Sequence, residues 1–301
     1  MVTTEKLSSH NETLWNFHYE LYFGLTDIPS SHLDLRGMAF KTYSLPARLG
    51  GIFVTLGILI CGSTGTQCVA NTTLDHLSRS IDRFSDKAIK YLNDDFSDDA
   101  QSFGAFCARV VLENACAALV GRLDPFRMLY LAEFQAQGGF EYGRPAKSGF
   151  KWTGDVLAEE KAANGLWNID HDISKISRAL FSSHADHIYW KPAIETALDY
   201  LSGTGRSDSF PDLQRIDPET FVSTTKGKCA SLYSTLSKGV HWEFFVSSVV
   251  MDEGTVKDAI RDCFINLANM GFISHFVPTA YRSHSREIVL DTYQSFRGSF
   301  Q

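Results

Sequence analysis

Positive charge is in short supply in this chain. Lysine and arginine total 28 against 35 aspartates and glutamates, a formal charge of −7. A sequence-blind nucleic-acid binder shows a broad basic footprint, so that class is disfavoured and only a local basic patch stays open. Cysteine pairs at metal or redox spacing are missing. The six cysteines, Cys61, Cys68, Cys107, Cys116, Cys229 and Cys263, contain no CxxC. They read as buried small hydrophobes in a reducing cytoplasm. The N-terminal stretch MVTTEKLSSHNETLW lacks a basic-then-apolar leader design, and a cytoplasmic protein is expected. No internal repeat and no low-complexity tract is evident. Strand–helix alternation does not persist, which argues against a parallel sheet.

What is present is apolar and aromatic. Of 301 residues, 44% are hydrophobic and 13% aromatic. That excludes a mainly disordered chain and supports a sizeable core in one large domain or two smaller ones. The strongest apolar run is Leu49 to Cys61, LGGIFVTLGILIC. A bilayer span needs about 20 mainly apolar residues, so this shorter run predicts a buried helix, with a buried strand or a span as the alternatives. Gly50, Gly51 and Gly57 would let a neighbouring helix approach closely. Membrane association is not expected.

Most long segments repeat at helical period. Ala100 to Leu123 sets Phe103, Phe106, Cys107, Val110, Val111 and Leu119 at three- and four-residue steps. Asp124-Pro125 then restarts a helix, with Asp at the cap and Pro in the first turn. It carries Phe126, Leu129, Tyr130, Leu131 and Phe134 before Gly138-Gly139 stops it, and the two helices form a hairpin. Residues 139–153 read as a loop. Helices are predicted over Asp155–Ala163, Ile173–Phe181 and Pro192–Leu201, with a connector at 203–216. Asp217-Pro218 repeats the cap signal before a helix carrying Phe221, Leu232 and Leu236. Thr255–Met270 is another helix, with Gly271 as its stop. ISHFVPTAY and EIVLDTY, near the C-terminus, read as short strands or extended segments. The expected fold is all-α or mostly α, of bundled helices with those short strands. The expected division is a helical domain over 1–210 and a helical region over 211–301.

The common catalytic signatures fail on inspection. Gly62-Ser63-Thr64-Gly65-Thr66 has no Lys-Ser or Lys-Thr after it, and Lys226-Gly227-Lys228-Cys229 lacks the hydroxyl that would hold magnesium. There is no GxGxxG after a strand and no GxSxG. His171-Asp172 resembles the centre of the HD phosphohydrolase motif, but the nearest upstream histidine is His76. His184 and His187, with Asp170, Asp172 and Asp186 around them, have one-face spacing for a metal. They read instead as a capped helix junction. Asp94, Asp95, Asp98 and Asp99 show no regular ligand spacing. No metal and no cofactor is expected.

Two segments carry a family resemblance. Arg178-Ala-Leu-Phe-Ser-Ser-His184 resembles the Rx4–6H motif of HEPN-domain ribonucleases, all-helical and often dimeric proteins of prokaryotic toxin and antiviral defence systems. The resemblance implies metal-independent RNA cleavage. Arg178 would hold the scissile phosphate and His184 would move a proton to or from the 2′-hydroxyl or the leaving oxygen. Ala179 stands where the family often has a polar residue. On a continuous helix the two side chains would lie well apart, so a break near Ser182-Ser183 is required. Leu236-Ser-Lys-Gly-Val-His241 is similar to a helix-end turn in HEPN-like proteins without ribonuclease activity. Separately, Arg144 with Lys147, Phe150, Lys151 and Trp152 interleaves basic and aromatic residues as nucleic-acid contacts require.

Two functions follow. The first is a non-catalytic helical interaction subunit of a prokaryotic multi-protein assembly, in antiviral defence or nucleic-acid handling, with a protein partner or a homo-oligomer as its complex and RNA or DNA within reach. The second is a metal-independent HEPN-type ribonuclease using Arg178 and His184.

Overall fold

The computed structural model describes residues 56–63, 69–93, 98–141, 149–158, 166–167, 172, 176–206, 209–241 and 252–300, excepting the side chains of 98–102 and 239–241. The fold is all-α. Among the described residues ten α-helices follow in order: α1 Leu56–Cys61, α2 Val69–Asn93, α3 Asp98–Leu123, α4 Pro125–Gln135, α5 Ser183–Ala185, α6 Lys191–Gly203, α7 Pro211–Gln214, α8 Phe221–His241, α9 Glu253–Ser274 and α10 Arg286–Gly298. Among the described residues there is no strand, only an isolated bridge between Thr153 and Leu157.

Residues 52–133 and 150–301 form one compact unit, and 1–51 with 134–149 form another. Of the second, the described part holds the end of α4 and the turns after it, where Phe134 and Phe140 meet edge to face at 6.2 Å. The first unit carries the hydrophobic core.

Helix α3 is its axis. Ala105, Ala108, Val110, Val111, Leu112, Ala115, Cys116, Ala118, Leu119 and Val120 are all buried, so the helix has almost no polar face. Such a helix is surrounded by others, and α1, α2, α8 and α9 all pack on it. Phe103–Leu123 is also long and apolar enough to cross a membrane by length and composition. Helix α2 shows the opposite pattern. Leu74, Ile81, Phe84, Ala88 and Leu92 line one buried stripe, and the other face is wet. Five cysteines, Cys61, Cys107, Cys116, Cys229 and Cys263, are buried and unpaired by disulfides. Cys68 lies outside the described residues.

The apolar run is a buried helix where described. Leu56, Gly57, Leu59, Ile60 and Cys61 of α1 are buried. Gly57 has the packing role its type allows, because a Cβ there would stand 2.6 Å from the Ser78 carbonyl oxygen and the Asp82 carboxylate. Asp82 accepts the Gly57 N–H at 2.7 Å and so caps α1 from α2.

Several expectations need correction. Gly271 does not end a helix; α9 runs through it to Ser274. Its glycine serves packing, since a Cβ would meet Leu59 at 2.9 Å and Ile60 at 3.0 Å. EIVLDTY is no strand but part of α10, where Val289, Leu290, Tyr293 and Phe296 make one buried stripe. ISHFVPTAY closes α9 and continues as turns. The helix expected over Ile173–Phe181 is irregular over its described part, 176–181. Its backbone bonds go sideways: Leu180 N–H to Asp155 O at 2.9 Å and Phe181 N–H to Val156 O at 3.2 Å. Of the helix expected over Asp155–Ala163 only 155–158 lie among the described residues, and there the chain completes a wide turn over Trp152–Val156, broken by Gly154 at φ 106° and an extended Thr153. The helix after Asp217-Pro218 starts at Phe221, one turn late, because Asp217 first caps a turn by accepting from Glu219 N–H and the Thr220 hydroxyl.

Burial pushes the Asp82 carboxyl up to about 7. Between about pH 4 and 7 the folded chain holds a proton that the unfolded chain has released, so this group's contribution falls as pH rises. Asp82→Asn removes the effect. Relative to the parent, the variant should gain up to about 1.4 kcal/mol per pH unit across that window, read from urea unfolding at several pH values. A pH-independent difference would refute the assignment.

Candidate functional site

The last turn of α3 faces two ways, and each side carries a candidate site. Outward, Val120, Leu123 and Asp124 join Ile176–Leu180 and the side chains of His184, Ala185, Ile188 and Tyr189 around an open cleft of about 120 Å³. Arg178 and His184 both line it. The break needed between them is present. Ser182 is extended and accepts the Ala185 N–H at 3.2 Å, capping α5, which begins at Ser183. The indole N–H of buried Trp190 holds the Leu180 carbonyl at 2.9 Å and fixes the extended stretch from below.

Both candidate catalytic side chains have partners within the chain. Arg178 forms an ion pair with Asp124 at 2.6 Å. His184 Nε2 lies 3.0 Å from the Leu166 carbonyl oxygen, so this nitrogen carries the proton and donates it. The Trp167 indole stands edge-on to His184 at 5.7 Å and to His187 at 5.3 Å. Those two histidines thus flank an indole. Among the described residues no group of three His, Cys, Asp or Glu side chains is placed to hold a metal ion. Asp172 is exposed, and His171, Asp170, Asp94 and Asp95 lie outside the described residues.

The basic and aromatic set divides. Arg144 and Lys147 lie outside the described residues. Phe150 sits 5.7 Å from the guanidinium of Arg127, which also pairs with Asp155 and donates to the Arg178 carbonyl at 3.2 Å. Trp152 stacks on Tyr233 at 4.5 Å and 16°. Arg109 covers that tyrosine ring at 4.5 Å and donates to its hydroxyl at 2.9 Å. Lys151 is exposed, and its backbone N–H goes to Asp155 at 2.7 Å. His241 ends α8.

Inward, Arg122 is fully buried. Its donors reach the Tyr281 carbonyl at 2.9 Å, the Ile60 carbonyl at 3.0 Å, the Ser274 hydroxyl at 2.6 Å, the Ser283 hydroxyl at 3.3 Å and His275 Nδ1 at 3.4 Å. All five N–H groups of a guanidinium are thereby used. No carboxylate among the described residues pairs with it. Its charge is met by the C-terminal ends of α1 and α9, where the helix dipoles are negative. Burial lowers its pKa to about 10, which leaves it charged at neutral pH. His275 stands beside it, with Nε2 2.9 Å from the Leu59 carbonyl oxygen and Nδ1 accepting the His284 N–H at 3.1 Å. That pattern fixes the neutral tautomer protonated on Nε2, and burial with the nearby Arg122 charge drives its pKa well below the usual value.

A second arginine completes this knot. Arg282, at φ 63°, donates to the carbonyls of Ser63 and Asn71 and to Asp75 at 2.7 Å. Its carbonyl accepts the Ser63 N–H at 2.8 Å. Gly62, at φ 76°, is required there, because a Cβ would lie 2.0 Å from that carbonyl oxygen. These groups have the residue types of a catalytic centre, but they spend their hydrogen bonds on backbone carbonyls and on one another's side chains within the core. They hold the fold. Sequence reasoning missed Arg122 and His275. The available signal was an arginine in the last turn of a helix with almost no polar face.

Comparison with family models, with characterised proteins and with solved structures finds no match to this chain.

Arg122→Met should cost at least about 3 kcal/mol, because several buried acceptors lose their donors at once. Arg122→Lys should not restore it, since an ammonium cannot reach five acceptors in a fork. Equal melting temperatures for parent and variants would refute this role. His275 has a second consequence. Above about pH 6.5 it is neutral in both states. Below that, the unfolded chain gains a proton that the folded chain refuses, and stability falls. His275→Gln should therefore flatten the loss of stability on acidification, seen in urea midpoints between about pH 7 and 5.

Proposed function

We propose that this protein is a non-catalytic helical interaction subunit that docks a protein partner through the outer face of α4. One observation carries the reading. Helix α4 buries only Met128, and it leaves Phe126 67% exposed and Tyr130 60% exposed, with Leu129 between them also in water. The two rings lie 6.5 Å apart and make one surface. Clustered aromatics of this kind regain about 25 cal/mol per Å² when covered, and they are enriched at interface cores. The HEPN resemblance is what points to a prokaryotic defence or nucleic-acid-handling assembly as the setting.

A second reading has its own support. Arg178 and His184 line one cleft, as a metal-independent HEPN-type ribonuclease would need. Against it, Arg178 is paired with Asp124 and His184 donates to Leu166.

The test places a photo-crosslinking phenylalanine analogue at Tyr130, with one at exposed Lys87 as the comparison, in extract of the source cells. Discrete adducts at Tyr130 alone, abolished by Phe126→Glu/Leu129→Glu, are expected. The purified chain in EDTA should leave RNA intact. Cleavage that disappears in Arg178→Ala/His184→Ala would transfer the assignment to the ribonuclease.

A further inference from the structure

We propose that the cleft beside α4 is the anchor pocket of the docking surface. In this assignment it takes one branched aliphatic side chain from a partner segment that also carries an adjacent Asp or Glu for Arg178. The inference rests on the docking reading above and specifies the chemistry of the partner.

Size comes first. Small-molecule sites enclose roughly 300–1,000 Å³, and this cleft offers about 120 Å³, the scale of a single large side chain. Its walls are Val120, Leu123, Ile176, Leu180 and Ile188. An aliphatic group entering them leaves water without displacing any buried polar contact. Interfaces concentrate their energy in such anchors.

Charge comes second. The cation on the cleft lining is Arg178, with its side chain 61% exposed, whereas Asp124 is only 14% exposed. Asp124 holds Arg178 through Nη2, and a guanidinium carries five N–H donors, so an incoming carboxylate adds to the exposed part of Arg178 while Asp124 stays paired. Arg127, the neighbouring cation, is held by Asp155 and Phe150. Arg178 is therefore the group placed to read an acid.

Continuity comes third. Ile188 lines the cleft and is 53% exposed, so the apolar lining extends onto the surface. Asp124 immediately precedes α4, and Phe126 is exposed two residues on. A segment anchored in the cleft would therefore run onto the aromatic face of α4. Apolar walls with a single exposed cation favour a peptide over the evenly charged backbone of a nucleic acid.

The experiment selects a random phage-displayed peptide library on the full chain and measures a synthetic copy of the winner by calorimetry. Enriched sequences should pair Leu, Ile or Val with Asp or Glu one or two positions away. Affinity should fall about tenfold or more, a loss of about 1.4 kcal/mol or more, in Arg178→Gln and, independently, in the rim variant Ile188→Asp. Both sites are exposed, and unchanged melting will show that the fold persists. Winners without an acid, winners indifferent to both substitutions, or no enrichment at all overturn the proposal. So does an RNA oligonucleotide that binds in an Arg178-dependent way while no peptide does. If the Tyr130 adduct persists in any of those cases, only the pocket assignment fails and the docking reading stands.

Discussion

A single buried guanidinium joins the helices of this fold. The described part of α1 has six residues, far too few to be stable alone, and the C-terminal ends of α1 and α9 leave carbonyls that need donors. Arg122 reaches the Ile60 carbonyl of α1, the Ser274 hydroxyl at the end of α9, and the 281–283 turn. His275 takes the Leu59 carbonyl beside it. Asp82 accepts the Gly57 N–H. The described turns of this apolar helix are thus held by polar groups from its neighbours at Gly57, Leu59 and Ile60. The desolvation of one charge is offset by five hydrogen bonds and by dipoles pointing the right way.

That arrangement links core to surface. Arg122 points inward from the turn of α3 whose next residues, Leu123 and Asp124, line the cleft. The cleft floor is as fixed as the Arg122 knot, because both belong to one turn. The opposite wall, 176–182, has no helix of its own. It is held by backbone bonds to 155–156 and by the Trp190 indole.

Much of the scaffold was legible in the sequence. Helices α3 and α4 and the boundary between them followed from helical period and Asp124-Pro125, although α4 is not packed back along α3 as the expected hairpin; the helix at Leu56–Cys61 followed from the apolar content and length of the run Leu49–Cys61. The misreadings have physical causes. Gly271 is read locally as a stop, yet its role is to admit Leu59 and Ile60, a contact more than two hundred residues distant in sequence. EIVLDTY has β-branched residues at its start, but Tyr293 and Phe296 continue its stripe at helical spacing. Residues 176–181 have helical composition but give their N–H groups to a distant loop. The Arg178–His184 pairing was visible as a spacing, and the break at Ser182 was visible as a requirement. Asp124 as the partner of Arg178 was not, because a cap signal and an ion-pair partner are the same residue type.

The buried thiols have one more consequence. Burial pushes Cys61, Cys107 and Cys263 up in pKa, so in the folded chain they offer little thiolate and little access. Their alkylation becomes a clock for opening. Cys61 sits at the end of α1 and Cys107, Cys229 and Cys263 on α3, α8 and α9. The order in which these sulfurs react would tell whether α1 peels away before the bundle parts, with no label added to the protein.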